Sequence, residues 1–207
     1  MKNFTNKFAK QVQPRRHKIC LAIPHVGTVR IETCMSVVAI LSTTPHDIFF
    51  AQREGAYIEQ NRTRLIQMAI EQGCDKIFFL DSDIMVEGGV INKLLAHNKP
   101  IIGAAYNGRA FPLYSNVKFT DENGNFIAVP DIPKELFKCA GVPTGAMLLD
   151  ISTVKQIPHP WFDLINDENG NLVIGEDIYF CQKAIKHGLE IWCDPTIQIK
   201  HMGTFGY

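Results

Sequence analysis

The chain has 207 residues, of which 46% are hydrophobic and 20% are charged, as in an ordinary globular domain, so a disordered or fibrous protein is excluded. No apolar run approaches the ~18 residues of a membrane helix, and the first eighteen residues lack the apolar core of a signal peptide. We therefore expect a cytoplasmic protein without a transmembrane segment. The formal net charge is zero, and no basic stripe marks a nucleic-acid-binding surface.

The charge is distributed unevenly at the start of the chain. Residues 1–18 hold six Lys or Arg and no acidic residue. We interpret residues 1–17 as a flexible basic segment, because charged termini are usually solvated. A weak contact of this segment with an anionic membrane surface or a polyanionic acceptor is the alternative. Residues 18–207 then form a single domain.

Strand and helix patterns alternate from residue 18 to about residue 106, which predicts a parallel sheet with crossover helices. The runs KICLAI, DIFFAQ, KIFFL and PIIGAAY predict strands at 18–23, 47–52, 76–80 and 100–106, the first of them ended by Pro24. Helical spacing predicts helices around 33–41, over 58–72 and near 89–97. A sheet of this kind is typical of nucleotide-binding domains.

The pattern changes over residues 107–207. The run VKFTDENGNFIAV at 117–129 predicts a hairpin around Asn-Gly, and a second DENGN at 167–171 predicts another turn. Strands are predicted at 145–151, in EIWCDP and in IQIKH, with a helix over 175–187 that ends at Gly188. We therefore expect an α/β fold with a mostly parallel sheet flanked by helices. Residues 18–106 would be its nucleotide-binding half, and 107–207 would form a smaller cap on the acceptor side.

The most informative motif is FFLDSDI, in which Asp81 and Asp83 directly follow a predicted strand. Ligands of open α/β sheets bind at the carboxyl ends of the strands. Residues two apart in an extended segment project to the same side, so both carboxylates can hold a divalent cation together with water and phosphate oxygens. The structural alternative is a solvated loop that caps a helix.

Two other chemistries also use closely spaced aspartates. A calcium-binding loop needs Gly at its sixth position and Glu at its twelfth, but Val86 and Asn92 stand there. A phosphatase of the haloacid dehalogenase type uses the first aspartate, here Asp81, as its nucleophile. Such phosphatases usually have Thr or Val two residues after the second aspartate, where this chain has Met85. The phosphatase remains the main alternative.

Two further groups carry candidate chemistry. Glu176 and Asp177 open the helix predicted at 175–187, where either carboxylate can act as a general base or position an acceptor hydroxyl. Stabilisation of negative charge at the helix N-terminus is the purely structural explanation. His201 ends the run IQIKH, and imidazole suits Mn²⁺, so this residue can complete a metal site with the aspartates, although a lone His is more often structural.

The order of these motifs resembles the GT-A superfamily of glycosyltransferases, especially its short bacterial or viral members. The resemblance spans residues 18–201 and rests on QNRTRLIQMAIEQGCDKIFFLDSDI, VPTGAMLLDI and GEDIYFCQKAIKHGLEIWCDPTIQIKHMG. It implies a Rossmann-like fold that binds a nucleoside-diphosphate sugar with Mn²⁺ or Mg²⁺ and transfers the sugar to an acceptor hydroxyl. The acceptor can be a glycan, a lipid, a protein or a modified nucleic-acid base, and the stereochemistry is open.

The resemblance also implies roles for individual residues. At the metal, Asp81 contacts ribose or metal, Ser82 lies beside it at the cofactor, and Asp83 and His201 ligate the metal. At the nucleotide, Pro24 borders the base and ribose, and Arg62 reaches the nucleotide. Thr144 and Gly145 line the donor-sugar and acceptor side, and Glu176 or Asp177 faces the acceptor. The structural alternatives are that Arg62 pairs with Glu59 or another acid and that Pro24 only ends a strand. A catalytically silent nucleotide-sugar-binding module is a further functional alternative.

Overall fold

The structure of the protein is a computed structural model that describes residues 15–109 and 114–203. Residues 1–14 of the predicted basic segment lie outside the described residues. The strands are β1 (Lys18–His25), β2 (Asp47–Glu54), β3 (Lys76–Leu80), β4 (Ile84–Val86), β5 (Ile101–Ala104), β6 (Lys118–Thr120), β7 (Phe126–Ala128), β8 (Phe137–Cys139), β9 (Ala146–Asp150), β10 (Ile165–Asn166), β11 (Leu172–Ile174), β12 (Ile191–Asp194) and β13 (Ile199–His201). The helices are α1 (Ile31–Thr43), α2 (Ile58–Glu71), α3 (Val90–Ala96), α4 (Ile151–Val154) and α5 (Glu176–Lys186).

Seven strands form one central sheet in the order β2-β1-β3-β9-β5-β12-β8. Strands β2, β1, β3, β5 and β12 run in the same direction, whereas β9 and β8 are antiparallel to their neighbours. The predicted α/β fold with a mostly parallel sheet flanked by helices is therefore confirmed. Three two-stranded sheets accompany it, and they pair β4 with β13, β6 with β7 and β10 with β11.

The central sheet separates two hydrophobic cores, and β3 contributes to both. Ile77 and Phe79 belong to the core that includes residues of α2 and α5, whereas Phe78 and Leu80 belong to the core that includes residues of α1 and α3. All four side chains are fully buried. Burial of one such side chain contributes about 1.5–3 kcal/mol. This explains why KIFFL is apolar at every position after its lysine, and the strand predicted at 76–80 is confirmed.

Strand β9 comes from the second half of the chain yet lies between β3 and β5, antiparallel to both. Its first residue, Ala146, pairs with Leu80 at the end of β3, and Met147 pairs with Gly103 near the end of β5. The start of β9 therefore lies at the carboxyl edge of the parallel strands. The sequence predicts a strand at 145–151, but its local pattern does not indicate which strands it joins.

The four predicted helices are confirmed as α1, α2, α3 and α5, with ends within two residues of the predicted ones. After α5, Gly188 adopts a φ of +77°, a left-handed conformation that favours glycine at a helix end. The single-turn helix α4 was not predicted. None of the helices in the two described stretches has the length and apolarity needed to cross a membrane.

The structure corrects the predicted end of the first strand. Strand β1 continues to His25, and Pro24 lies inside it, opposite Arg53 of β2. Strand β1 pairs with β3 only from Ile19 to Ala22. Within the described residues, the part of β1 that contains Pro24 therefore pairs with β2 alone. Proline has no backbone N–H, and it is tolerated where a strand has a neighbour on one side only.

Both DENGN segments form turns, as predicted. In each turn the aspartate accepts hydrogen bonds from the backbone N–H groups two and four residues later, at 2.8–2.9 Å. Gly124 and Gly170 adopt a φ of +84°, which is accessible to glycine at little cost. The first turn joins β6 to β7, as predicted, and the second joins β10 to β11, which were not predicted as strands.

Candidate functional site

Asp81 and Asp83 lie in a turn at the carboxyl edge of the sheet. The N–H of Asp81 donates to the Gly145 carbonyl at 3.1 Å, and the N–H of Ile84 donates to the Asp81 carbonyl at 3.1 Å. The extended geometry predicted for this segment is therefore wrong, because the hydrogen bond from Ile84 to Asp81 closes a turn over Ser82 and Asp83. The two carboxylates consequently have different partners, and the site has two parts.

The first part is a buried ion-pair network around Arg62 of α2. Its Nη1 and Nη2 atoms donate to Oδ1 and Oδ2 of Asp81 at 2.8 and 3.1 Å, and its Nε donates to Oε1 of Glu176 at 3.1 Å. The Arg62 side chain is only 3% exposed. The planar guanidinium thereby fixes the first aspartate of the motif and the first residue of α5 relative to each other.

This network keeps Arg62 charged. Burial lowers the pKa of Arg62, but the Asp81 and Glu176 carboxylates outweigh burial and raise its pKa above the usual value. The partners of Arg62 are thus Asp81 and Glu176 rather than Glu59, the acid considered from the sequence. Arg62 links the end of β3 to the start of α5 and does not reach outward to solvent.

Asp177 follows Glu176 at the start of α5 and is half-buried. Burial, followed by the negative charge of Glu176, raises the pKa of Asp177 to about 6, although a hydrogen bond from the Ile178 N–H at 2.7 Å opposes the rise. A carboxylate with this pKa exchanges a proton near neutral pH, which suits a general base. Stabilisation by the helix N-terminus, the structural explanation, would shift the pKa of Asp177 in the opposite direction.

The second part of the site surrounds Asp83. Nε2 of His201 lies 3.6 Å from Oδ2 of Asp83, and Nη1 of Arg109 lies 3.0 Å from the same oxygen. Burial raises the pKa of Asp83, but His201 and Arg109 outweigh burial and hold this pKa below its usual value. The interaction with the Asp83 carboxylate raises the pKa of His201 against the effect of burial. Asp83 is therefore an ionised carboxylate that faces two nitrogen groups.

Strands β4 and β13 bring His201 to Asp83. They pair antiparallel with His201 opposite Ile84, and the N–H of Met202 donates to the Asp83 carbonyl at 2.8 Å. Nδ1 of His201 lies 3.1 Å from the carbonyl oxygen of Asn107. Because a carbonyl only accepts, Nδ1 carries a proton and Nε2 is the ring atom that faces Asp83. A backbone carbonyl on the second ring nitrogen commonly orients a metal-ligating histidine.

These contacts test whether the predicted cation fits the residues. Asp83 and His201 offer one carboxylate and one oriented imidazole, which suit Mn²⁺ or, with more water and phosphate ligands, Mg²⁺. Asp81 pairs with Arg62 instead, and both of its oxygens accept hydrogen bonds from the guanidinium. Within residues 15–109 and 114–203, no three His, Cys, Asp or Glu side chains form a metal-binding group. Of the three predicted ligands, the structure brings Asp83 and His201 close together and pairs Asp81 with Arg62.

Tyr106 lies between the two parts of the site. Its ring packs edge-on against that of His201, with 5.2 Å between the centroids. A Cβ atom at Gly145 would overlap the Tyr106 hydroxyl and lie 3.0 Å from Oδ2 of Asp81. Glycine is therefore required at this position if Tyr106 and Asp81 are to keep their places. Thr144 is buried beside Gly145, with 1% of its surface exposed.

The remaining predicted residues lie near the same edge of the sheet. Pro24 is buried in β1, close to the end of that strand. The carbonyl of Ser82 accepts a hydrogen bond from the N–H of Arg30 at 2.9 Å, which ties the Asp81–Asp83 turn to the start of α1. The structure thus places Pro24 and Ser82 around the two ion-pair clusters rather than within them.

Three residues of the site were not predicted, namely Tyr106, Asn107 and Arg109. They follow β5 and reach the carboxyl edge of the sheet, as Asp81 does after β3. Tyr106 and Asn107 also line a cleft of about 470 Å³. The signal in the sequence is YNGR at 106–109, in which aromatic, turn-forming and basic residues directly follow an apolar strand.

Comparisons with known proteins bear on the fold. No family model matches the chain, and no curated protein matches its sequence. Among solved structures, the crystal structure of A197 from STIV is similar, with a TM-score of 0.64 and 17% sequence identity over 90% of this chain and 86% of that chain. A similarity at this identity establishes a shared fold, so the function has to be inferred from the site itself.

Proposed function

We propose that the protein is a metal-dependent glycosyltransferase that moves a sugar from a nucleoside-diphosphate sugar to an acceptor hydroxyl. The observation that carries the proposal is the convergence of Asp83 and His201 at the carboxyl edge of an α/β sheet. The two residues come from distant parts of the chain, and Asn107 turns the imidazole so that Nε2 faces the carboxylate. A cation with so few protein ligands usually binds substrate phosphates as well.

The donor diphosphate would bind at the cation held by Asp83 and His201. When bound, Mn²⁺ or Mg²⁺ neutralises the charge that develops on the departing diphosphate and orients that group. Asp81 has a different proposed role. A carboxylate has about four acceptor sites, and Arg62 donates two hydrogen bonds to Asp81. The remaining lone pairs of Asp81 can accept hydrogen bonds from the ribose hydroxyl groups of the donor.

Asp177 is the proposed general base. As the acceptor oxygen attacks the anomeric carbon, its proton passes to the Asp177 carboxylate, and the bond between that carbon and the diphosphate oxygen breaks. A pKa of about 6 leaves Asp177 mostly ionised at neutral pH and basic enough to accept the proton. Arg62 bridges Asp81 on the donor side and Glu176 on the acceptor side, so one side chain sets the spacing between the donor and the base.

The phosphatase alternative fits this geometry less well. It requires Asp81 to attack a phosphorus atom, but both Asp81 oxygens accept hydrogen bonds from a buried guanidinium. Those hydrogen bonds withdraw charge from the oxygens and fix their direction. A catalytically silent nucleotide-sugar-binding module would share the cation site and differ only in turnover, so a turnover measurement distinguishes it.

Thermal stabilisation by UDP, GDP, dTDP and ADP, each with and without Mn²⁺, tests the proposal. We expect one nucleotide to stabilise the parent protein only with Mn²⁺, by about 2.7 kcal/mol at 100 times its Kd. His201→Ala should lose this effect, whereas His187→Ala, which changes an exposed histidine at the end of α5, should keep it. Stabilisation that is independent of Mn²⁺ or of His201 would contradict the proposed site. Release of the nucleoside diphosphate from the matching nucleotide sugar then identifies an enzyme.

A further inference from the structure

Arg109 contacts the oxygen that the proposed cation requires. Its Nη1 lies 3.0 Å from Oδ2 of Asp83, and the same oxygen faces Nε2 of His201 at 3.6 Å. A divalent cation held by Asp83 and His201 would therefore lie against the guanidinium. Two positive charges that both contact one carboxylate oxygen repel each other strongly. Arg109 and the divalent cation therefore compete for Asp83.

The fold places Arg109 at Asp83 without burying it. Arg109 follows Asn107, whose carbonyl orients the His201 ring, so one short segment after β5 serves both residues. Cδ of Arg109 lies 3.6 Å from the position that a Cβ atom at Gly203 would take, so the side chain runs along the backbone that follows β13. The Arg109 side chain is 56% exposed. An exposed ion pair of this kind exchanges its partners at small cost.

We propose that Arg109 occupies Asp83 until the divalent cation displaces it, and that the displaced guanidinium then binds the donor diphosphate. This inference rests on the proposed function. A guanidinium suits the second role, because its planar fork donates two parallel hydrogen bonds to phosphate oxygens and stays charged across the physiological pH range. The diphosphate would lie at the cation, within the region that the Arg109 side chain already reaches.

This role couples the binding of the two ligands. Arg109 weakens the binding of the cation alone, because the cation has to displace it from Asp83. Once displaced, Arg109 strengthens the binding of the nucleoside diphosphate. The cation and the donor therefore bind cooperatively, since the cation releases the side chain that the diphosphate uses.

Arg109→Gln separates the two effects. Mn²⁺ alone is titrated while free Mn²⁺ is followed by electron paramagnetic resonance, and UDP, GDP, dTDP and ADP are then titrated at saturating Mn²⁺. Compared with the parent, this variant should bind Mn²⁺ alone about fivefold more tightly. It should bind the matching nucleoside diphosphate about tenfold more weakly. Arg109→Lys keeps the positive charge but lacks the planar guanidinium that donates two parallel hydrogen bonds. This variant should bind Mn²⁺ as tightly as the parent does and should bind the nucleotide more weakly than the parent does.

Arg64→Gln is the matched control, because Arg64 is 46% exposed and pairs with Glu71 on the surface of α2 at 2.9 Å. This variant should match the parent in both titrations. Unchanged or weaker Mn²⁺ binding by Arg109→Gln, or unchanged nucleotide binding, would overturn the role of Arg109 and leave the proposed function standing. A parent protein that binds none of the four nucleotides with Mn²⁺ would overturn the proposed function and the role of Arg109 with it.

Discussion

Asp81 and Asp83 are two residues apart in the chain, yet they have different surroundings. Asp81 accepts two hydrogen bonds from Arg62, whose side chain is 3% exposed. Asp83 faces His201 and Arg109, and the Arg109 side chain is 56% exposed. One carboxylate therefore pairs with a buried arginine, whereas the other pairs with an arginine that solvent reaches.

The Asp81 and Asp83 side chains are equally exposed, at 24%, so the burial of their arginine partners explains why the two carboxylates have different proposed roles. Removing Asp81 from this ion pair would leave the buried charge of Arg62 uncompensated in a low-dielectric environment. Asp81 and Arg62 therefore do not exchange partners readily. An exposed ion pair contributes only about 0–1 kcal/mol, so Asp83 can exchange its partners for a ligand. A motif with two aspartates thus does not require two metal ligands. In the proposed site, Asp81 would organise the surrounding residues, and Asp83 would bind the cation.

The largest effect is expected from Asp177→Asn, at the acceptor end of the buried network. Transfer to the acceptor should fall by about 10²–10⁴-fold, because the amide cannot accept the proton of the acceptor hydroxyl. Binding of the donor nucleotide should stay close to that of the parent. Transfer at the parental rate would show that the base lies elsewhere.

Asp177→Asn should also change stability with a defined dependence on pH. The pKa of Asp177 is raised from 3.8 to about 6, so the folded state favours the protonated form. The free energy of unfolding of the parent therefore falls by roughly 3 kcal/mol as the pH rises through this range. The amide does not titrate, so the free energy of unfolding of the variant relative to the parent should increase between about pH 4 and pH 7. Urea denaturation at both pH values measures this difference. A decrease would indicate an Asp177 anion stabilised by the helix N-terminus.

The next largest effect is expected from Arg62→Ala, which removes the centre of the buried network. Asp81 and Glu176 would lose their shared partner, and the free energy of unfolding should fall by about 3 kcal/mol. Arg64→Ala removes an exposed arginine from the same helix and should cost about 0–1 kcal/mol. Similar losses in the two variants would show that burial does not distinguish the two ion pairs.

A smaller effect is expected from Gly145→Ala, where the buried network meets Tyr106. The added methyl group would overlap the Tyr106 hydroxyl and approach Asp81, so the free energy of unfolding should fall by about 1–3 kcal/mol. Tyr106→Phe removes the hydroxyl and should recover part of this loss in the double variant. Additive losses in a double-mutant cycle would contradict the close approach of Gly145 to the Tyr106 hydroxyl.

The sequence predicts the elements of the fold better than their partners. KIFFL predicts β3 because the strand is buried on both faces, and the DENGN turns follow from local side-chain hydrogen bonds. The position of β9 between β3 and β5 depends on pairing between distant segments, which a local pattern does not encode. Strand β4 has only three residues and exists through its pairing with β13, so periodicity does not reveal it.

The same distinction holds for the candidate site. Asp81 and Asp83 could be placed at the edge of the sheet because they directly follow an apolar strand. The different partners of Asp81 and Asp83 depend on the turn that separates their side chains and on the position of Arg62 in α2. Both are features of the tertiary structure. Arg109 was missed because YNGR at 106–109 is a short signal, and it does not show that the fold brings this arginine to Asp83.

Titration of Mn²⁺ into Asp83→Asn and Asp81→Asn, with free Mn²⁺ followed by electron paramagnetic resonance, tests the central claim most directly. Both substitutions remove one negative charge and keep the size of the side chain, and unfolding curves confirm that each variant is folded. Asp83→Asn should weaken Mn²⁺ binding by about tenfold or more, because a ligand is lost. Asp81→Asn should change it by no more than about fivefold, the effect of a charge that does not touch the cation. Equal losses in the two variants would contradict the account, because they would make both aspartates metal ligands.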